Sequence, residues 1–165
     1  LAAEIALTYP AATGDDERHA LNRERTLCGR RADAVEKQDD AFSPLATDAC
    51  ATCATSFTTF ADIVPALELA DGWKDMRPRS GYHNQLKQQF AVELEAELAP
   101  EHPLAGSPFV VVANLEDDVV LALTDGRAAV VRLTWSREVE APPKPVVAFV
   151  EGRSIPAASA LALDA

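Results

Sequence analysis

The clearest hydrophobic rhythm lies past the middle of the chain. Tyr82, Leu86, Phe90, Leu94 and Leu98 recur at steps of four, with Gln88, Gln89, Glu93, Glu95 and Glu97 on the wet side. This is the period of an amphipathic helix. Ser80 stands where an N-cap belongs, and Pro100 disfavours helix at Ala99. The spacing therefore predicts a helix over 80–98. Apolar runs at Phe109–Asn114 and Val119–Thr124, and the return Arg127–Trp135, predict strands. Asp125-Gly126 predicts a two-residue hairpin turn between the last two. That turn pairs Leu123 with Ala128 and Leu121 with Val130, and sets Val120 opposite Val131 on the other face. Pro142, Pro143 and Pro145 break the chain before a last strand, Val146–Val150. Both sheet faces are apolar, so the sheet needs two covers. The helix supplies one, and the N-terminal half or another chain supplies the other.

The first half is less regular. Glu4–Tyr9 predicts a short strand ended by Pro10, and Thr13–Asp16 is turn material. Arg18–Arg30 reads as a hairpin around Asn22, with Arg25–Cys28 as its second arm. Residues 30–48 read as a polar loop with a short strand near Val35. Phe57, Phe60, Ile63 and Val64 have helical spacing that Pro65 interrupts, which leaves 56–69 open between one helix and a broken one. Residues 73–80 read as a linker. The pattern is α+β: a knuckle-like β-hairpin region at 1–72, a helix packed on a small antiparallel sheet at 73–151, and a tail at 152–165, either loosely ordered or a short docking helix.

Composition narrows the function classes. Of 165 residues, 48% are hydrophobic and 25% charged, which is globular usage. Lys+Arg number 15 against Asp+Glu 26, a net charge of -11 that repels phosphate and argues against nucleic-acid binding. No run of 18 apolar residues exists to span a membrane. No export signal is evident, so the expected setting is the reducing cytoplasm.

Chemistry concentrates in the first third. His19, Cys28-Gly29 and Cys50-Ala51-Thr52-Cys53 supply one imidazole and three thiols. Three cysteines do not make a closed disulfide set, and two of them form a Cys-x2-Cys pair. Such a pair sets two sulfurs on one side of a metal, and a Cys-Gly turn forms the opposing knuckle. His19 is nine residues before Cys28, a distance one hairpin folds back. Zinc prefers four such donors in a tetrahedron, and a site with no open position is structural. The plainer alternative is three small buried residues and a surface histidine. His83 or His102 could replace His19, but both belong to the other half. No βαβ unit surrounds the cysteine pair to suggest redox work.

The remaining candidates favour plain readings. Asp15-Asp16-Glu17, Asp39-Asp40 and Glu116-Asp117-Asp118 lack calcium-loop spacing and read as solvated turns. His83 and His102 read as surface or capping residues; Trp73 and Trp135 could stack a ligand or anchor an interface, but Trp135 ends an apolar strand and reads as core. No phosphate loop, dinucleotide fingerprint or nucleophile elbow occurs.

Two resemblances attach to these residues. Arg18-His19, Thr26-Leu27-Cys28-Gly29-Arg30 and Cys50-x2-Cys53 resemble small zinc-binding proteins of actinobacterial type, over the first third of the chain. The resemblance implies that His19, Cys28, Cys50 and Cys53 share one zinc. The second half resembles a group of small bacterial proteins without an assigned activity. Its cues are His102-Pro103-Leu104-x-Gly106 and Ala129-Val130-Val131-Arg132-Leu133-Thr134-Trp135. Arg132 stands where that group has His, which argues against carrying over a role for it.

The functional expectation is a non-enzymatic module, stabilised by a structural zinc (Zn2+), that binds another protein; self-association is a further option. One alternative is a metal-dependent enzyme with an open coordination position and Glu17 or Asp48 as base. Another is an acidic inhibitor or mimic docking on a basic partner.

Overall fold

The computed structural model describes residues 7–23, 25–78, 80–161 and 163. The strand expected at Glu4–Tyr9 lies mostly outside the described residues. The fold is α+β, and the chain divides into two compact units, one ending at Asp62 and the other beginning at Ile63.

The first unit holds a four-stranded antiparallel sheet of β1 (Pro10–Gly14), β2 (Glu17–Asn22), β3 (Arg25–Thr26) and β4 (Glu36–Ala41), in the order β3-β2-β1-β4. Pro10 opens β1 rather than ending a strand, which proline tolerates at a first position. Asp15 and Asp16 join β1 to β2, with φ of 51° and 61°. Two left-handed residues between Gly14 and Glu17 make the mirror-image turn that matches strand twist. The β2–β3 hairpin falls where the sequence placed it. β4 is a correction to the polar loop: Glu-Lys-Gln-Asp-Asp-Ala lies almost wholly exposed at the sheet edge. With neither face buried it carries no alternation to reveal it.

Helix α1 (Ala51–Ala66) begins earlier than its apolar spacing suggests, and it is one helix. Thr55, Thr58 and Thr59 turn their hydroxyls back onto carbonyls four residues earlier. Pro65 lies inside the last turn, where it has no N–H to offer the Ala61 carbonyl, and the helix ends one residue later. Phe57 packs edge-on against Tyr9 and lies against Phe42.

The second unit contains β5 (Glu68–Leu69), β6 (Lys74–Asp75), α2 (Gly81–Glu97), β7 (Phe109–Leu115), β8 (Asp118–Leu123), β9 (Ala128–Arg132), β10 (Val146–Val150) and β11 (Ser154–Ile155). Its main sheet is antiparallel with order β10-β9-β8-β7-β6, and β11 pairs with β5 in parallel. The stretch expected as a linker is therefore structured. It contributes β6 and the buried Met76. Arg77 caps the end of α1 by donating to the carbonyls of Val64 and Leu67 at 2.9 and 2.8 Å, and pairs with Asp75.

Ser80 caps α2, its hydroxyl accepting the His83 amide at 3.0 Å. Phe90, Ala91 and Leu94 form the core with Val111, Val119, Leu121, Ala129 and Val131 of the sheet. The opposite face, with Val120, Ala122, Ala128 and Val130, is fully buried by the chain itself. The hairpin register differs from expectation by one residue: Ala122 faces Ala128, Leu121 faces Ala129 and Val120 faces Val130. The Leu123 amide donates to Arg127 and the Gly126 amide to Leu123, with only Gly126 left-handed, at φ 85°. This is a three-residue loop with a glycine bulge, not a two-residue turn.

Several side chains depart from their plain readings. Asp118 is buried and paired across the strands with Arg132 at 2.8 and 3.0 Å. His102 is buried: its Nε2–H donates to the Pro145 carbonyl at 2.8 Å, and its Nδ1 accepts the Leu104 amide. Trp73 is buried, whereas Trp135, expected in the core, is 42% exposed. The final segment is ordered through β11, a 3-10 turn at Ala158–Ala160 and the buried Leu163.

Candidate metal centre

His19, Cys28, Cys50 and Cys53 converge in the first unit. Their donor atoms all lie within 4.8 Å of one another and could hold a metal ion. His19, Cys50 and Cys53 are buried, and Cys28 is half-buried. Each ligand has a distinct local cause.

β2 presents His19 inward, between the wet positions Arg18 and Glu17 and the sheet interior. Its Nε2 faces the Gly14 carbonyl at 3.2 Å. A carbonyl only accepts, so Nε2 carries the proton and Nδ1 keeps its lone pair. Nδ1 faces the Cys28 sulfur at 3.4 Å and the Cys53 sulfur at 3.8 Å. Fixing the tautomer through the far nitrogen is how metal-binding imidazoles are oriented.

Cys28 stands in a tight knuckle after β3. The Gly29 amide donates to the Thr26 carbonyl and the Thr26 amide to that of Arg30. Gly29 turns at φ 95°, a conformation costly for other residues. The Thr26 hydroxyl accepts the Arg30 amide and lies 3.1 Å from the Cys28 sulfur.

Cys50 and Cys53 flank the start of α1, the first immediately before it and the second in its first turn. The pair thus sits on a helix start rather than in a free turn. The backbone ties this end to His19: Arg18 donates to Asp48 at 2.8 Å and accepts from Cys50 at 2.7 Å. Arg18 itself pairs with Asp40.

The thiols differ in acidity. Burial pushes Cys28 up, but hydrogen bonds from Thr26, Cys53 and Arg30 outweigh it and pull the thiol down to about 7. Burial pushes Cys53 up to about 12, with the other two sulfurs adding repulsion. Three adjacent thiolates are unfavourable without a cation, and a bound cation reverses that balance.

The cluster contains neither Glu17 nor Asp48, and neither His83 nor His102. His83 lies in α2 with Nδ1 donating to Pro78 at 3.2 Å, and His102 is committed as described. The supporting roles of Gly14, Thr26 and Arg18 were not visible in residue spacing, because two of the three act through backbone atoms. Among the described residues no helix is long and apolar enough to cross a membrane. Comparison with known proteins finds no matching family model, curated protein or solved structure.

Proposed function

We propose that the chain is a non-enzymatic protein-binding module whose first unit is held together by one structural zinc ion, ligated by His19 Nδ1 and the sulfurs of Cys28, Cys50 and Cys53. The observation that carries this reading is the closed donor set. Zinc–sulfur and zinc–nitrogen bonds of about 2.3 and 2.05 Å in a tetrahedron place nitrogen and sulfur about 3.6 Å apart. The separations of 3.4 and 3.8 Å bracket that value. Four protein donors fill the tetrahedron and leave no position for a substrate, which disfavours a catalytic role for the metal. Thiolate ligation suits a reducing compartment, the cytoplasm of the sequence reading.

The binding role has its own support. β10 lies at the edge of its sheet with the sequence Val-Val-Ala-Phe-Val and no charge. Apolar edges of this kind are templates for a partner strand, including one from a second copy. Leu45 adds a nearly fully exposed apolar side chain, at 92%.

The test is elemental analysis of protein purified without added metal. One zinc per chain, lost when His19 is replaced by Ala, is the expected result. Absence of metal with all three thiols freely titratable would refute the zinc reading.

A further inference from the structure

The segment after β9 is built in an unusual way. Trp135 and Arg137 both adopt left-handed backbone, with φ of 58° and 59°. Such a conformation costs a non-glycine residue about 1 kcal/mol or more, and glycine would adopt it freely. Two buried carboxylates one turn apart on α2 hold the segment in place. Glu97 accepts the amides of Thr134 at 2.9 Å and Trp135 at 2.6 Å, and Glu93 accepts that of Arg137 at 2.8 Å. A strained conformation retained with large side chains, where glycine would serve the turn better, points to a use for those side chains.

Their position shows the use. Trp135 and Arg137 form one wall of an open groove of about 670 Å³, whose other wall is a face of α2 with Gln85, Gln88, Gln89, Val92, Glu93 and Ala96. That volume falls in the ordinary range of small-molecule sites. The indole is fixed at three points: its backbone amide on Glu97, its Nε1–H on Asp117 at 2.9 Å, and its ring against Phe90 at 5.6 Å. It is nevertheless 42% exposed. The result is a rigid aromatic face opposite three carboxamides.

We propose that this groove binds a neutral saccharide, with one sugar ring stacked on Trp135 and its hydroxyls bonded to Gln85, Gln88 and Gln89. Each carboxamide offers donors and an acceptor, which matches hydroxyls that do both. The indole face matches the C–H face of a pyranose ring. A purely apolar ligand would displace water from the exposed carboxamides without replacing its hydrogen bonds. An anionic nucleotide meets a chain of net charge -11, and within the groove the opposite charges of Arg137 and Glu93 offset one another, which leaves neither an anion nor a cation an unopposed partner. Glu97 and Glu93 are positioning residues: they hold the wall through its backbone amides, and Glu93, which also lines the groove, has one carboxylate oxygen committed to the Arg137 amide. The site uses none of the metal-centre residues, so it stands whether or not the zinc reading does.

The experiment is amide and side-chain NMR of the labelled full chain during titration with maltotriose, cellotriose and chitotriose, with adenosine monophosphate and choline as controls. Binding by at least one trisaccharide is expected, moving the Trp135 Nε1–H and the carboxamide signals of Gln85, Gln88 and Gln89. Trp135→Ala should weaken it by about tenfold or more, which is about 1.4 kcal/mol, and Trp135→Phe should restore most of the loss. Should Trp135→Ala disturb the fold, Gln88→Ala, exposed on α2, gives a loss of several-fold on an intact spectrum. Glu97→Gln should weaken binding while Gln88→Ala and Glu97→Gln together lose no more than the sum of their separate effects. No shift with any trisaccharide overturns the proposal. So do shifts indifferent to both Trp135→Ala and Gln88→Ala, or a response confined to the nucleotide or choline.

Discussion

The two units reach a folded state by different means. The second has a helix on a five-stranded sheet and a contiguous core of Leu, Val, Phe and Met side chains. The first has small or isolated buried groups: Ala11, Ala12 and Ala20 in the sheet, Leu27, and Phe42 and Phe60. Its most deeply buried polar side chain is His19, beside Cys53 and Cys50. Short, polar hairpins do not remove enough apolar surface from water to offset chain entropy, and a metal cross-link is a common substitute. One unit is thus organised by side-chain packing, while the other brings together four side chains that could hold a metal ion.

This contrast breaks first at the ligands. Cys50→Ser removes one of four donors. Structural zinc contributes on the order of 10 kcal/mol to small metal-held folds. The expected outcome is loss of amide dispersion across residues 18–55, with the signals of α2 and β7–β9 retained. A far-ultraviolet spectrum and melt matching the unaltered protein would show that packing alone holds the first unit.

The converse is next in size. Leu94→Ala opens a cavity between α2 and the sheet, at a cost of about 2–5 kcal/mol. It should lower the melting temperature of the second unit while zinc content stays at one per chain. A fall in zinc content with it would mean that the units do not stand separately.

The smallest effect is one of pH. Burial raises the Glu97 carboxyl above its usual range, and the neighbouring Glu93 adds to this, against the amides of Thr134 and Trp135. In the window above the ordinary value of 4.5 the folded chain therefore holds a proton that the unfolded chain releases. Stability contributed by this group is present below that window and is lost as pH rises through it. Denaturant melts followed on β8 and β9 amides should show that slope, and Glu97→Gln should remove it. An unchanged slope in the variant would assign it to another group.

The sequence was informative where a chemical type or a period was repeated. α2 was legible to within a residue because apolar steps, a serine cap and a proline stop agree. The four clustered residues were legible because thiols and an imidazole at those spacings have few other uses. Legibility failed where the deciding contact was backbone. Asp125-Gly126 promises a hairpin but does not distinguish a two-residue turn from a three-residue loop with a bulge, and that choice shifted every pair between β8 and β9. β4 was hidden by its exposure on both faces. Trp135 looked like core because it follows an apolar strand; only the left-handed turn at its own α-carbon directs it outward. His102 looked superficial until the Pro145 carbonyl came to meet it.

The ligands also have an order along the chain. All four lie at or before Cys53, while the last strand of the main sheet ends at Val150. A ribosome adding roughly 5–20 residues per second reaches the second point about 5–20 s after the first. If the first unit binds zinc as proposed, capture has time to precede completion of the sheet, and an arrested nascent chain that exposes Cys53 should already retain the ion. On the proposed zinc reading, the supply of metal at the moment of synthesis would then set how many chains mature with the first unit closed.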